Sequence, residues 1–185
     1  MKKLNKDQRG LTLIELVIAI ALVGVITGGI TMTILQVFTM NTRTSNHMTA
    51  VRQVQHAGFW VSPDVQMALS VNASAGSGFP LTLIWLEGGS NDVHEVIYTL
   101  EDMPSGGFER LQREHYIESE LDSTTIVAEY IDPAETSCCC DCNDDGACDG
   151  DCTCDDKSVI FTVTATVGGQ SETRIYEIKP RPGSY

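Results

Sequence analysis

The sequence predicts an α+β chain, in which one long N-terminal helix, apolar in its first half and amphipathic in its second, packs on an antiparallel β-sheet. Three observations lead there. Leu16 to Thr42 is a run of 27 residues without a charge. After Asn41, apolar residues recur every three or four positions, the period of a helix with one buried face. Beyond residue 78, short runs rich in Val, Ile, Thr and Tyr alternate with Gly-containing turns, as in strands joined by hairpins.

The division expected along the 185 residues is a leader at 1–10, an apolar helix at 11–40, an amphipathic helix at 41–71 and a β-rich domain at 72–185 with an insert at 138–156. The soluble part is long enough for one domain with its own core. Charge divides at Gly10. The leader holds Lys2, Lys3, Lys6 and Arg9 against Asp7, a net of +3; the whole chain carries −13, which leaves −16 for the remainder. Positive charge beside the start of a membrane helix marks the cytoplasmic side and places the acidic domain across the membrane. A domain so acidic lacks the Lys and Arg that phosphate contacts need, so no nucleic-acid partner is expected.

The apolar run exceeds the roughly 20 residues a helix needs to cross a bilayer core of about 30 Å. A secretory signal would place small residues at a cleavage site after the run. Here the candidate, Gly10, lies before it, next to Arg9, so cleavage there leaves the helix on the mature protein. Glu15 then becomes the fifth residue of the new N-terminus. A carboxylate deep in a membrane costs about 2.5–3.5 kcal/mol on insertion scales, so a partner for it is expected. Gly24, Gly28 and Gly29 interrupt the run; Gly24 and Gly28 satisfy the small-xxx-small spacing of close helix packing.

In the amphipathic part Val51, Val54, Gly58, Val61, Val65 and Ala68 define one face, with Met48, Phe59 and Leu69 beside them. Arg52, Gln53, Gln55, His56, Ser62 and Gln66 fall elsewhere around the helix. Pro63 removes a backbone donor in mid-helix, which predicts a kink or a second helix capped by Ser62. Asn72 to Gly78 reads as the loop that ends the helix. Strands are expected at 81–86, 93–100, 108–114, 124–130, 159–167 and 172–179. The clearest is Val159, Phe161, Val163, Ala165 and Val167 alternating with Ile160, Thr162, Thr164 and Thr166, a strand with one buried face. Gly168-Gly169 then suits a tight hairpin into the last strand.

Arg9-Gly10-Leu11-Thr12-Leu13-Ile14-Glu15-Leu16 resembles the prepilin signature of type IV pilins and type II secretion pseudopilins. The resemblance implies a pilin-like fold, cleavage by prepilin peptidase between Gly10 and Leu11, and methylation of the amino group of Leu11. It implies that Glu15 pairs with the N-terminal amine of a neighbouring subunit during assembly. The family more often has Phe where Leu11 stands. The implied partners are other pilin or pseudopilin subunits, the peptidase, an inner-membrane assembly platform and, before assembly, membrane lipid. The implied location is the inner membrane, single-pass with a cytoplasmic N-terminus, then a periplasmic or surface filament. The family's helices often loosen near their middle in the filament, a second reading of the glycines. A looser resemblance, to minor pilins and the J-type minor pseudopilin, rests on the Asp-containing turn at Asp64 to Ala68, on Tyr98-Thr99-Leu100 and on Leu111-Gln112-Arg113.

The insert holds all seven cysteines, Cys138, Cys139, Cys140, Cys142, Cys148, Cys152 and Cys154. Between two strands it is expected as a surface loop. Outside the cytoplasm such clustering favours disulfides, although an odd count leaves one thiol over. Calcium competes as an organising principle: Asp141, Asn143, Asp145 and Gly146 match the opening of a calcium loop and Asp149 its ninth position, but Cys152 stands where the bidentate Glu belongs. The cysteine spacings match no paired C-x2-C zinc frame. His47, His56, His94 and His115 are scattered without a triad pattern and read as surface or packing residues; Trp60 and Trp85 read as core or helix-sheet contacts. The expected function is that of a structural subunit, minor rather than major, and not an enzyme. The rival is a membrane-anchored cation-binding or adhesive module working through the insert.

Overall fold

The computed structural model describes residues 12–89, 92–104, 106–141 and 157–181. Gly10, Leu11, Cys142, Asn143, Asp145, Cys148, Asp149, Cys152 and Cys154 therefore lie outside the described residues. The chain divides into two units, 1–43 and 44–185. One helix, α1 (Leu13–Met67), is followed by β1 (Ser70–Ser74), β2 (Gly78–Leu86), β3 (Val93–Asp102), β4 (Glu109–Ile117), β5 (Glu120–Ile131), β6 (Ser137–Asp141), β7 (Ser158–Val167) and β8 (Gln170–Ile178).

In the first unit every described residue is exposed. The helix runs unbroken through Gly24, Gly28 and Gly29. Its threonines satisfy their own hydroxyls: Thr27, Thr31, Thr33, Thr39 and Thr42 donate to the carbonyls of Val23, Thr27, Gly29, Leu35 and Phe38 at 2.8–3.1 Å. A polar side chain bonded within its own helix needs no water, which suits an apolar surround.

In the second unit the rest of α1 lies on the sheet. Ala50, Val54, Ala57, Gly58, Val61, Asp64 and Val65 are buried, and the alanines and valines among them share one core with Leu81, Leu83, Val96, Tyr98, Leu111, Val127, Phe161 and Val163. The buried stripe is centred on Ala50 and Ala57 as well as the valines; Phe59, expected beside it, is 70% exposed. Residues expected off the apolar face also take part. Gln53 accepts from the amide of Glu129 at 2.9 Å, and His56 Nδ1 lies 2.5 Å from the Val127 carbonyl, so both tie the helix to β5. Helix and sheet approach closely at Gly58, where a Cβ would overlap the Tyr176 ring. The Tyr176 hydroxyl reaches past it to donate to the Val54 carbonyl at 3.0 Å.

Pro63 does not end the helix, and Ser62 caps no second one. Proline removes one backbone donor, but Val61, Asp64 and Val65 are all anchored in the core, so tertiary packing carries the last turn. The segment expected as a loop after the helix is instead largely strand. Val71 is buried and β1 pairs antiparallel with β2 from Ser70↔Ile84 to Ala73↔Leu81, with the turn confined to residues 75–77.

The strands follow in antiparallel order β1-β2-β3-β4-β5-β7-β6, with β8 on the other edge of β7. Among the described residues β5 pairs with β7 at Ile131↔Ala165, while β6 pairs with β7 from Ser137↔Thr162 to Asp141↔Ser158. Both therefore lie end to end along one side of β7. The Cys138 amide donates to the Ser77 carbonyl at 2.8 Å, so the sheet curls until β6 meets the β1–β2 turn. β7 is buried on both faces, not one. Thr164 is covered by the segment after β5: its amide donates to Thr136 Oγ1 at 3.1 Å and its carbonyl accepts from the Asp132 amide at 2.9 Å. Gly168 and Gly169 both adopt positive φ in the hairpin to β8, at +53° and +75°.

Candidate functional site

The start of α1 is closed by a reciprocal cap. Thr12 lies just outside the helix and its Oγ1 accepts from the Glu15 amide at 3.3 Å, while Glu15 Oε2 accepts from the Thr12 amide and from its hydroxyl, each at 3.3 Å. This is a capping box: it satisfies backbone donors that have no partner within the helix and sets a carboxylate against the positive end of the helix dipole. Thr12-x-x-Glu15 is legible as a cap in the sequence, yet Thr12 was not singled out there. Behind the cap, Leu13 to Met40 presents an exposed apolar surface, and α1 is long and apolar enough to cross a membrane. A family model described as the prokaryotic N-terminal methylation motif matches residues 5–31.

The N-terminus is a type IV prepilin signature. Nothing among curated proteins or solved structures matches the chain. Such a prepilin signature implies subunits of pilin type and a prepilin peptidase as partners in general, and a single apolar helix behind it is consistent with membrane anchoring and a surface filament. The carboxylate of the prepilin signature, Glu15, is described; Gly10 and Leu11, at the expected cleavage and methylation site, are not.

The looser resemblance in the sequence singled out three places, and the fold brings them together. Asp64, in the last turns of α1, is buried with its Oδ2 2.7 Å from Arg113 Nε and its Oδ1 3.3 Å from Arg113 Nη2. Tyr98 donates its hydroxyl to the same Oδ2 at 2.5 Å. Tyr98 and Arg113 are directly opposed on β3 and β4, so one register places both under the helix. Arg113 also lies over the Trp60 ring, 5.4 Å from its centroid. Burial, and then the Asp64 charge, push the Tyr98 hydroxyl above its ordinary pKa. Burial alone would lower the Arg113 pKa, but the Asp64 hydrogen bond and charge outweigh it and raise it. The cluster closes the helix onto the sheet with the Asp64 and Arg113 charges partnered, an arrangement that holds shape.

The cysteine segment departs from the expected surface loop at its start. Residues 137–141 are strand β6, and Cys138 and Cys140 point inward as members of the hydrophobic core. Cys138 is a free thiol, which removes it from the expected disulfides; burial pushes its pKa up to about 12. The physical reason is its place in the strand: every second residue faces the core, and an inward thiol behaves as a small hydrophobe. Asp141, proposed in the sequence as a first calcium ligand, is buried at the end of β6 opposite Ser158. No group of three His, Cys, Asp or Glu side chains that could hold a metal occurs among the described residues.

Proposed function

We propose that the chain is a minor, prepilin-type structural subunit of a type IV pilus or a type II secretion pseudopilus, and that its role is mechanical rather than catalytic. The observation that carries the reading is the methylation motif at the head of an apolar helix with Glu15 in its first turn. Among the described residues Glu15 is held by Thr12, through contacts of 3.3 Å. Charge-assisted bonds are ordinarily shorter, at about 2.7–2.9 Å. The carboxylate is thus available to a stronger partner, and the N-terminal amine of a neighbour supplies one. Pairing the two charges removes the cost of keeping either alone in an apolar surround.

The test is the intact mass of the membrane-extracted protein, with and without a co-expressed prepilin peptidase. Loss of residues 1–10 and gain of one methyl group is the expected result; a full-length mass in the presence of an active peptidase overturns the reading. Glu15→Gln keeps the cap's acceptor oxygen but removes the charge. The variant is expected to be processed and to stay in the membrane, yet to be lost from sheared filament fractions. Its normal recovery in filaments would remove the assembly role of Glu15.

A further inference from the structure

Two histidines far apart in sequence meet on the helix-facing side of the sheet. His94 of β3 is opposed by Trp85 of β2, and Val96, two residues on, by His115 of β4, so the two imidazoles are diagonal neighbours. The rings stack with centroids 5.2 Å apart, and Trp85 stacks on both at 5.5 and 5.9 Å. His94 Nδ1 lies 3.0 Å from His115 Nε2, His115 Nδ1 lies 3.1 Å from Asp122 Oδ2, and His94 Nε2 lies 3.5 Å from Glu87 Oε2. Glu87, His94, His115 and Asp122 therefore form one row, in which carboxylates flank two imidazoles. Both histidines line a cavity of about 820 Å³ with Met67, Leu69 and Arg181.

Hydrogen-bond capacity fixes where protons sit in this row. An ionised Asp122 only accepts, so His115 carries its hydrogen on Nδ1; neutral, it accepts at Nε2, and His94 must donate from Nδ1. His94 is then left with a bare lone pair on Nε2, and that atom is buried without a hydrogen-bond partner. One added proton on Nε2 turns it into a donor facing Glu87. A second has no room, because it would place two N–H groups head to head across 3.0 Å.

We propose that His94 and His115 are a single-proton site, which takes up one proton, at His94 Nε2, and so latches Glu87, just beyond β2, onto β3 and through His115 and Asp122 onto β5. The other charged groups around the row are assigned as follows. Arg181 lines the same cavity, Glu118 accepts from the Val93 amide at 2.8 Å, and Asp92 accepts with its carbonyl from the Glu87 amide at 3.0 Å. A proton is the cation that fits, since the described side chains assemble no set of three metal ligands here.

The test is nitrogen-15 NMR of the full chain in detergent micelles, labelled at histidine and followed from pH 8 to pH 5. Signals are assigned with His94→Gln and His115→Gln. The expected result is uptake of one proton by the pair, with both nitrogens of His94 protonated and His115 Nε2 bare. In His115→Gln the amide accepts from His94 and donates to Asp122, so the count stays at one. Uptake of two protons by the unaltered pair overturns the proposal. Glu87 has a side chain 61% exposed, so Glu87→Gln provides a variant that keeps the fold. It is expected to move the uptake to lower pH, and an unchanged curve removes the latch.

Discussion

Asp64→Ala is expected to lower the stability of the domain by about 3–5 kcal/mol, because it strands a buried guanidinium that has given up water for one carboxylate. The loss falls on three elements at once. Arg113 loses both of its short contacts to Asp64, the Tyr98 hydroxyl loses its acceptor, and the last turns of α1 lose the anchor that carries them past Pro63. Urea denaturation followed by tryptophan fluorescence measures it directly, since Trp60 sits beneath the guanidinium. The desolvation argument makes a sharper demand on a double variant. Asp64→Leu combined with Arg113→Met removes both charges and should recover most of the loss, leaving Tyr98 as the remaining unpaired group. A double variant as unstable as Asp64→Ala would mean that shape at this point, and not charge, holds helix to sheet.

Gly78→Ala is expected to be of similar size, about 3–5 kcal/mol, from two independent causes. The backbone at Gly78 has φ of +83°, a conformation that costs an L-residue about 1–2 kcal/mol. A Cβ there would also overlap the carbonyl of Cys138, a main-chain group fixed by the β6–β7 ladder, and overpacking of this kind costs about 1–3 kcal/mol or more. Gly76 separates the two causes. Its φ is +95° but open space surrounds it, so Gly76→Ala should lose only the conformational part. Equal losses at both positions, read from the same denaturation curves, would show that the contact between β6 and the β1–β2 turn yields without cost.

The architecture was legible where a single period governs a segment. The helix face through Val54, Gly58, Val61 and Val65 and the alternation along β8 stand where the sequence predicts them, because burial there follows 3.6 and 2 residues. Signals that mean two things were read as the wrong one. Thr136, Cys138 and Cys140 alternate inward against Ser137 and Cys139, a strand pattern, but a cluster of cysteines was read as a loop to be stapled. Cysteine is among the most often buried residues, so its alternation carried the better information. Gln53 and His56 fall off the apolar face that the period defines, and their polar side chains give no sign in the sequence that they satisfy backbone groups of β5. The histidine pair was out of reach for a different reason. His94 and His115 are neighbours only through the register of β3 on β4; Pro104 and Gly106-Gly107 mark the turn between those strands in the sequence but do not say which residues pair across it.

The pairing of Asp141 with Ser158 bears on how this chain can vary. The two ends of the segment between them are fixed side by side in an antiparallel ladder, so the sheet needs from that segment only that it close. Closing a flexible loop grows costlier slowly, by about 0.6 kcal/mol for each doubling of its length. Whatever sequence joins these two residues must therefore close the short span that the ladder sets. The domain is built as a socket, in which the paired ends of β6 and β7 are the fixed rim.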